Sequence, residues 1–242
     1  MRTSEPIFNV PGMVLALIAV FIAVHAARLA LHPQDAEWWL LALAFIPARY
    51  AGFAGEIPGG NVAGATSFVS HMFLHADWFH LAINSAWMAA FGSVLNRRMG
   101  ALRFLMFALG GGVAGALLFL IVNPGLAAPV IGASGAVAAM MGGVMCFLFN
   151  AIDARQGYLL RDDPAAIPRM TFLHIVTDRR IVISSLVFVG INLLALIGFG
   201  QLGEAGAIAW EAHLGGYFYG LFAFALFDAA PQKASPYGGE AE

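Results

Sequence analysis

Charged side chains are scarce in this chain. Asp, Glu, Lys and Arg together supply 11% of its 242 residues, while 60% are hydrophobic. An ordinary soluble domain is about 25% charged and about 45–50% apolar. A water-facing shell cannot be built from so little charge, so a wholly soluble globule is excluded and lipid is the expected solvent. Cysteine is nearly absent. Cys146 is the single one, which rules out an intramolecular disulfide, and its apolar setting suits a buried, inert thiol. A strong charge of either sign is missing too. The formal net charge is −2, so no basic face offers itself to nucleic acid. No internal repeat or low-complexity tract divides the chain, and one compact bundle accounts for its length.

What the chain does have is long apolar runs. A spanning helix needs about 20 mostly apolar residues. Six segments fit: residues 10–31, 71–95, 101–122, 130–152, 181–200 and 205–227, the second of them unusually polar. Gly100, the turn Asn123-Pro124-Gly125 and Gly198-Phe199-Gly200 fall at their ends, where chain breakers belong. The first run has no convincing small-residue cleavage site and five more follow it, so it reads as a helix rather than a signal peptide. The expected fold class is an all-α membrane protein, a six-transmembrane-helix bundle over residues 10–228. A short N-terminal segment, 1–9, precedes it and a polar, disordered tail, 229–242, follows.

Basic residues orient this bundle. With the N-terminus in the cytoplasm, the inner segments hold Arg2, Arg97, Arg98, Arg103, Arg155, Arg161, Arg169, Arg179, Arg180 and Lys233; the outer segments hold Arg28 and Arg49. Ten of twelve inside is a strong bias, and it places both termini in the cytoplasm. The second, fourth and sixth spans then run from outside to inside. Of the two long loops, residues 31–70 lie outside and carry Trp38, Trp39, Phe45, Tyr50 and Phe53, as expected of a segment lying in the membrane interface. Residues 152–180 lie inside, rich in Arg and Asp, and read as a solvated connector.

Polar groups inside a membrane are costly and default to functional candidates. The second span carries His71, His75, His80 and Asn84; the fourth carries Ser134 and the sixth His213. Ser134 sits in Gly132-Ala133-Ser134-Gly135 near the outer end of its helix, where unpaired backbone N–H groups can stabilise an oxyanion. Alone it would be a packing serine, since small residues pack membrane helices closely. Gly216 and Gly220 share a helix face with His213, and Ala138 and Gly142 share one with Ser134. Two such faces approach closely and bring imidazole to hydroxyl, base to nucleophile. His80 and Asn84 stand at i and i+4, and His80 is nine residues beyond His71, roughly 13 Å along one helix. Both can donate to a developing oxyanion. No carboxylate completes a triad, because Glu211 points roughly 200° around the helix from His213.

These residues resemble the rhomboid family. The likeness rests on the run His71-Met72-Phe73-Leu74-His75-Ala76-Asp77-Trp78-Phe79-His80, then Asn84 and Phe91-Gly92. It continues through Gly132-Ala133-Ser134-Gly135 and Ala212-His213-Leu214-Gly215-Gly216, with Gly220 beyond. The resemblance covers the six-helix core. It implies an intramembrane serine endopeptidase in which Ser134 is the nucleophile and His213 its base. His80, Asn84 and the Ser134 N–H would line the oxyanion site, with His71 and His75 structural or water-organising near the mouth. Two positions depart from the pattern. Ala138 stands where some members carry an aromatic residue stacked on the histidine, and Thr66-Ser67 stand where some carry Trp-Arg. On this reading the core has no added cytoplasmic domain and no seventh span.

The implied partners are the lipid bilayer and transmembrane protein substrates, with neither nucleic acid nor metal, and no cofactor. A bacterial inner membrane is the expected location. Two other functions compete. One is a non-catalytic rhomboid-like protein that binds transmembrane segments, although such proteins usually lack the serine or the histidine. The other is a metal site or ion path built from His71, His75 and His80, since His-x-x-x-His on one helix face can hold zinc. It lacks a supporting acidic set apart from Asp77.

Overall fold

The structure, a computed structural model, describes residues 10–194 and 209–228. The expected segment 1–9, the end of the fifth span with Gly198-Phe199-Gly200, the first residues of the sixth, and the tail 229–242 lie outside the described residues. Among the described residues the fold is helical throughout, apart from an isolated antiparallel bridge between Phe45 and Val130.

Helix α1 (Gly12–Leu29) follows Pro11, which cannot extend a helix backwards. The segment after α1 folds into α2 (Pro33–Leu43), two short 3₁₀ turns and α3 (Gly60–Ser70). Pro33 and Asp35 suit the first turn of α2, one by its fixed φ and the other by its charge at the dipole's positive end. Trp38 and Trp39 are exposed on α2. Helix α4 (Trp78–Trp87) passes through five residues of wider winding, Met88–Gly92, into α5 (Ser93–Met99). Gly100, at φ 80°, turns the chain into α6 (Ala101–Val122). Next come α7 (Ser134–Asp153), short α8 (Leu159–Asp162) and α9 (Phe172–Thr177), then α10 (Arg179–Leu194) and α11 (Trp210–Phe227).

Among the described residues three helices are long and apolar enough to cross a bilayer: α1, α6 and α7. The chain is an integral, multi-pass membrane protein. Burial rises from 17% of the α1 window through 39% of α6 to 67% of α7, so α7 is the central post and α1 faces outward. Helices α6, α7 and α11 pack tightly on one another. Their core is filled by Phe104, Phe107, Met140, Phe147, Tyr217 and Phe224. Cys146 is buried there, its thiol directed at the carbonyls of Gly142 and Leu221.

Three expectations need correction. Residues 71–95 are not one helix. His71–Phe73 is a 3₁₀ turn that ends α3, Leu74 is extended, and α4 begins only at Trp78. Asp77 is the reason: it adopts extended backbone, and its carboxylate accepts the His80 N–H at 2.7 Å, capping α4. The fourth helix starts at Ser134 rather than at residue 130, because Val130 is paired with Phe45 through two backbone hydrogen bonds, 2.8 and 3.0 Å. The 152–180 connector is docked rather than freely solvated. Ile167, Met170 and Ile175 are buried, the Met170 N–H donates to Cys146 O at 2.8 Å, and Asn150 Nδ2 donates to Pro168 O at 2.9 Å.

Two buried arginine anchors hold the ends of the bundle. Arg49 donates to Leu41 O at 2.5 Å and to the carbonyls of Ile57 and Gly60 at 3.5 Å, fixing the segment between α1 and α4. At the opposite end Arg98 forms a two-pronged pair with Asp228 at 2.9 Å, donates to Pro164 O and Ile167 O, and stacks on Phe147. Sequence reading takes both as topology markers alone; in three dimensions they are consumed by backbone carbonyls and a buried carboxylate.

Candidate active site

Ser134 is the first residue of α7, and it is part-buried. Ahead of it Gly132 takes φ 113°, a conformation open to glycine at little cost, and its N–H donates to His71 O at 2.9 Å. This turn aims the first backbone N–H groups of α7 away from any intrahelical acceptor. His213 lies in the first turn of α11, also part-buried.

Glycine contacts bring the two helix ends together. A Cβ built on Gly216 would fall on the carbonyl, carbonyl carbon and Cα of Gly135, and one on Gly220 would fall on the Ala139 backbone. A Cβ on Gly135 would stand 3.3 Å from Ala212 O, and one on Gly142 would collide with the Tyr217 backbone. The contact of Gly135 with Ala212 and Gly216 is one residue from Ser134 and within one helical turn of His213. The backbones that carry the two residues therefore meet at adjoining helix ends. The small-residue face of α7 is Gly135, Ala139 and Gly142; of the expected pair Ala138 and Gly142, Ala138 is buried without appearing in these closest approaches.

Helix α4 closes the other side. A Cβ on Gly132 would lie 2.7 Å from His80 Nε2 and 3.5 Å from Asn84 Nδ2, so both nitrogens face the turn that leads into Ser134. The Ala76 N–H points at His80 Nδ1 at 3.5 Å, which favours the tautomer with the proton on Nε2. Asn84 is buried, and its Nδ2 has no acceptor among the described residues. An unsatisfied buried donor is costly, and here it sits beside the helix end that carries Ser134.

His71 and His75 occupy different roles from each other. His71 donates from Nδ1 to Ser67 O at 2.8 Å and tethers the turn before α4. His75 is buried between Phe21 (5.1 Å) and His80 (5.2 Å), and Arg28 of α1 donates to its carbonyl at 2.9 Å. The break at Leu74–Asp77 means that His71, His75 and His80 share no helix face, so the zinc-spacing argument fails. Among the described residues no three His, Cys, Asp or Glu side chains converge as metal ligands.

Two polar residues at the site escape the motif-based reading. His25 of α1 is buried edge-on against Trp78, 4.6 Å between rings. Asn192 of α10 is buried with its Oδ1 2.8 Å from His213 Nδ1. Both are polar groups inside apolar runs, so the rule that singled out Asn84 could have found them. Glu211 is occupied elsewhere, accepting from Asn123 Nδ2 at 2.8 Å.

Comparison with known proteins fits this geometry. Residues 63–229 match the Rhomboid domain family model. Over 76 residues, 31% of its length, the chain is 37% identical to Rhomboid-like protease 5 of Toxoplasma gondii. That alignment spans 9% of the relative's own length. With more than half of its residues matched to the family model, and His80, Asn84, Ser134, Asn192 and His213 inside the match, the chain belongs to the rhomboid family.

Proposed function

We propose that this protein is an intramembrane serine endopeptidase that cleaves membrane proteins in or beside their transmembrane segments. The observation that carries the reading is the close contact of Gly135 with Ala212 and Gly216, which supports a Ser134–His213 dyad at one depth. The proposed architecture is six spans over residues 10–228, both termini in the cytoplasm, in a bacterial inner membrane. Segments 1–9 and 229–242 flank the core.

In the proposed reaction the neutral imidazole of His213 takes the Ser134 proton on Nε2 as Oγ bonds to the scissile carbonyl carbon. The oxygen becomes an oxyanion and meets the Ser134 N–H, His80 Nε2–H and Asn84 Nδ2–H, donors already aimed at that side of the turn. The C–N bond breaks as His213 returns the proton to the leaving amine. A water molecule, deprotonated by His213, then attacks the acyl-serine and regenerates the Ser134 hydroxyl. No metal or cofactor enters these steps. His71 and His75 hold the turn and organise the mouth, while Gly132, Gly135, Gly216 and Gly220 set the backbone spacing.

A helical peptide bond is hydrogen-bonded and shielded, so a substrate must unwind locally to reach Oγ. Transmembrane segments with helix-breaking residues near the outer face are the favoured substrates. The proposed entry paths are past the fifth span or past the segment that joins it to the sixth.

A fluorophosphonate probe applied to purified protein tests the reading. Covalent labelling of the wild type, absent in Ser134→Ala and His213→Ala, is the expected result. No labelling of folded wild type, or labelling that persists in Ser134→Ala, would overturn it and leave the non-catalytic, segment-binding alternative.

A further inference from the structure

Position 138 is alanine, so no aromatic ring steadies His213 from α7, and Glu211 is turned toward Asn123. Something else must hold the imidazole. We infer that Asn192, on α10, is the positioning residue of the dyad: its side-chain oxygen fixes both the tautomer and the ring orientation of His213. The inference rests on the dyad reading above.

The hydrogen bonds dictate the assignment. Asn192 Nδ2 donates to Phe188 O at 2.9 Å, one helical turn back on α10. Turning the amide over would set two acceptors, Oδ1 and the Phe188 carbonyl, against each other. The oxygen therefore faces His213 Nδ1 at 2.8 Å. An amide oxygen only accepts, so Nδ1 carries the hydrogen. A neutral imidazole has one N–H, which leaves Nε2 bare. Nε2 is the nitrogen that a serine base needs. An amide in this role selects the tautomer without adding a charge.

The rest of the α10–α11 contact keeps Asn192 in register. Ser185 Oγ and Tyr217 Oη are 2.9 Å apart, and Phe188 stacks on Tyr217 with ring centroids at 4.4 Å. Residues 185, 188 and 192 fall at i, i+3 and i+7, and 213 and 217 at i and i+4, so one stripe of each helix forms the contact. The outward side of α10 is apolar, with Leu186, Val187 and Ile191 exposed. Asn192 is 7% exposed, and an amide buried in a spanning helix is costly unless it is used.

The test compares wild type with Asn192→Leu, which keeps the volume and loses the acceptor, and with Asn192→Asp, which keeps it. The readouts are the fluorophosphonate labelling rate of Ser134 and the kcat and KM for a synthetic transmembrane peptide with a helix-breaking outer segment. Asn192→Leu is expected to label about 10²-fold more slowly. Its kcat should fall in parallel, with KM changed less than about twofold, because the lost contact is to the base and not to the substrate. Asn192→Asp should stay within about tenfold of wild type. Wild-type labelling by folded Asn192→Leu, or an Asn192→Asp as slow as Asn192→Leu, would overturn the inference. Nitrogen-15 histidine spectra, with His213 assigned by difference against His213→Gln, decide the matter even if Asn192→Leu fails to fold. Protonated Nδ1 is expected at neutral pH, and protonated Nε2 would overturn it. Failure of wild type to label is a different result, since it removes the dyad reading itself.

Discussion

Gly216 of α11 lies against the backbone of Gly135 of α7, so closely that a methyl group on 216 would occupy the Gly135 carbonyl. Backbone cannot step aside as a flexible side chain can. Gly216→Ala must therefore part the two helices at the level of Ser134 and His213. Overpacking of this kind costs about 1–3 kcal/mol, and a shift of about 1 Å at a reacting centre costs about 10² in rate. Gly216→Ala should lower thermal stability in micelles and slow fluorophosphonate labelling by about that factor. Gly220→Ala, one turn farther from the site, should cost similar stability with less loss of labelling.

Asn84 offers the opposite trade. Its Nδ2 is buried without an acceptor among the described residues, so removing it takes no hydrogen bond from that part of the fold. Removing one oxyanion donor typically lowers kcat by about 10²–10³. Asn84→Ala should show that loss in peptide cleavage while its unfolding temperature does not fall. A variant that is both slow and clearly less stable would mean that Asn84 holds the helices together instead.

The anchor at the other end of the bundle is a matter of stability alone. The side chains of Arg98 and Asp228 are only 1% and 2% exposed, and Arg98 also holds the carbonyls of Pro164 and Ile167. Arg98→Ala leaves a buried carboxylate that has lost its two-pronged partner, with Arg169 at 3.9 Å. Breaking a buried pair from one side costs about 3–5 kcal/mol. Thermal or denaturant unfolding should register a loss of that order, with labelling of Ser134 unchanged per folded molecule. Arg98→Lys should recover little, because one ammonium cannot reproduce the two-pronged geometry.

Acid should loosen the connector before the core. Hydrogen bonds from the Arg180 guanidinium hold the Asp178 carboxyl below the usual carboxylate range. A group whose pKa is lowered by folding stabilises the fold above its ordinary value, about 4, and that contribution is lost as pH falls through the lowered value. Hydrogen exchange of residues 171–178 should therefore accelerate below about pH 4. Asp178→Asn should show the faster exchange already at neutral pH, with no further acceleration on acidification.

Apolar runs and lone polar residues are local properties, so the sequence by itself determined that this is a multi-pass helical membrane protein and which side chains to suspect. Among the described residues α1, α6 and α7 are long and apolar enough to span, three of the six runs that hydropathy picks out, because a 20-residue apolar run has few alternatives in lipid. Ser134 and His213 were recognisable because each sits in a glycine-rich motif. The break at Leu74–Asp77 was harder to read, since His71–Leu95 is apolar enough for one helix and only the cap formed by Asp77 ends that choice. Long-range pairings of polar side chains were decided by tertiary structure alone. Arg98 finds Asp228 across 130 residues, and Asn192 finds His213 across 21. Which faces meet depends on how far each helix is rotated and slid. That is set by glycine backbones pressed against one another; the spacing of Gly216 and Gly220 marks one meeting face, but not the slide and rotation that bring Asn192 to His213.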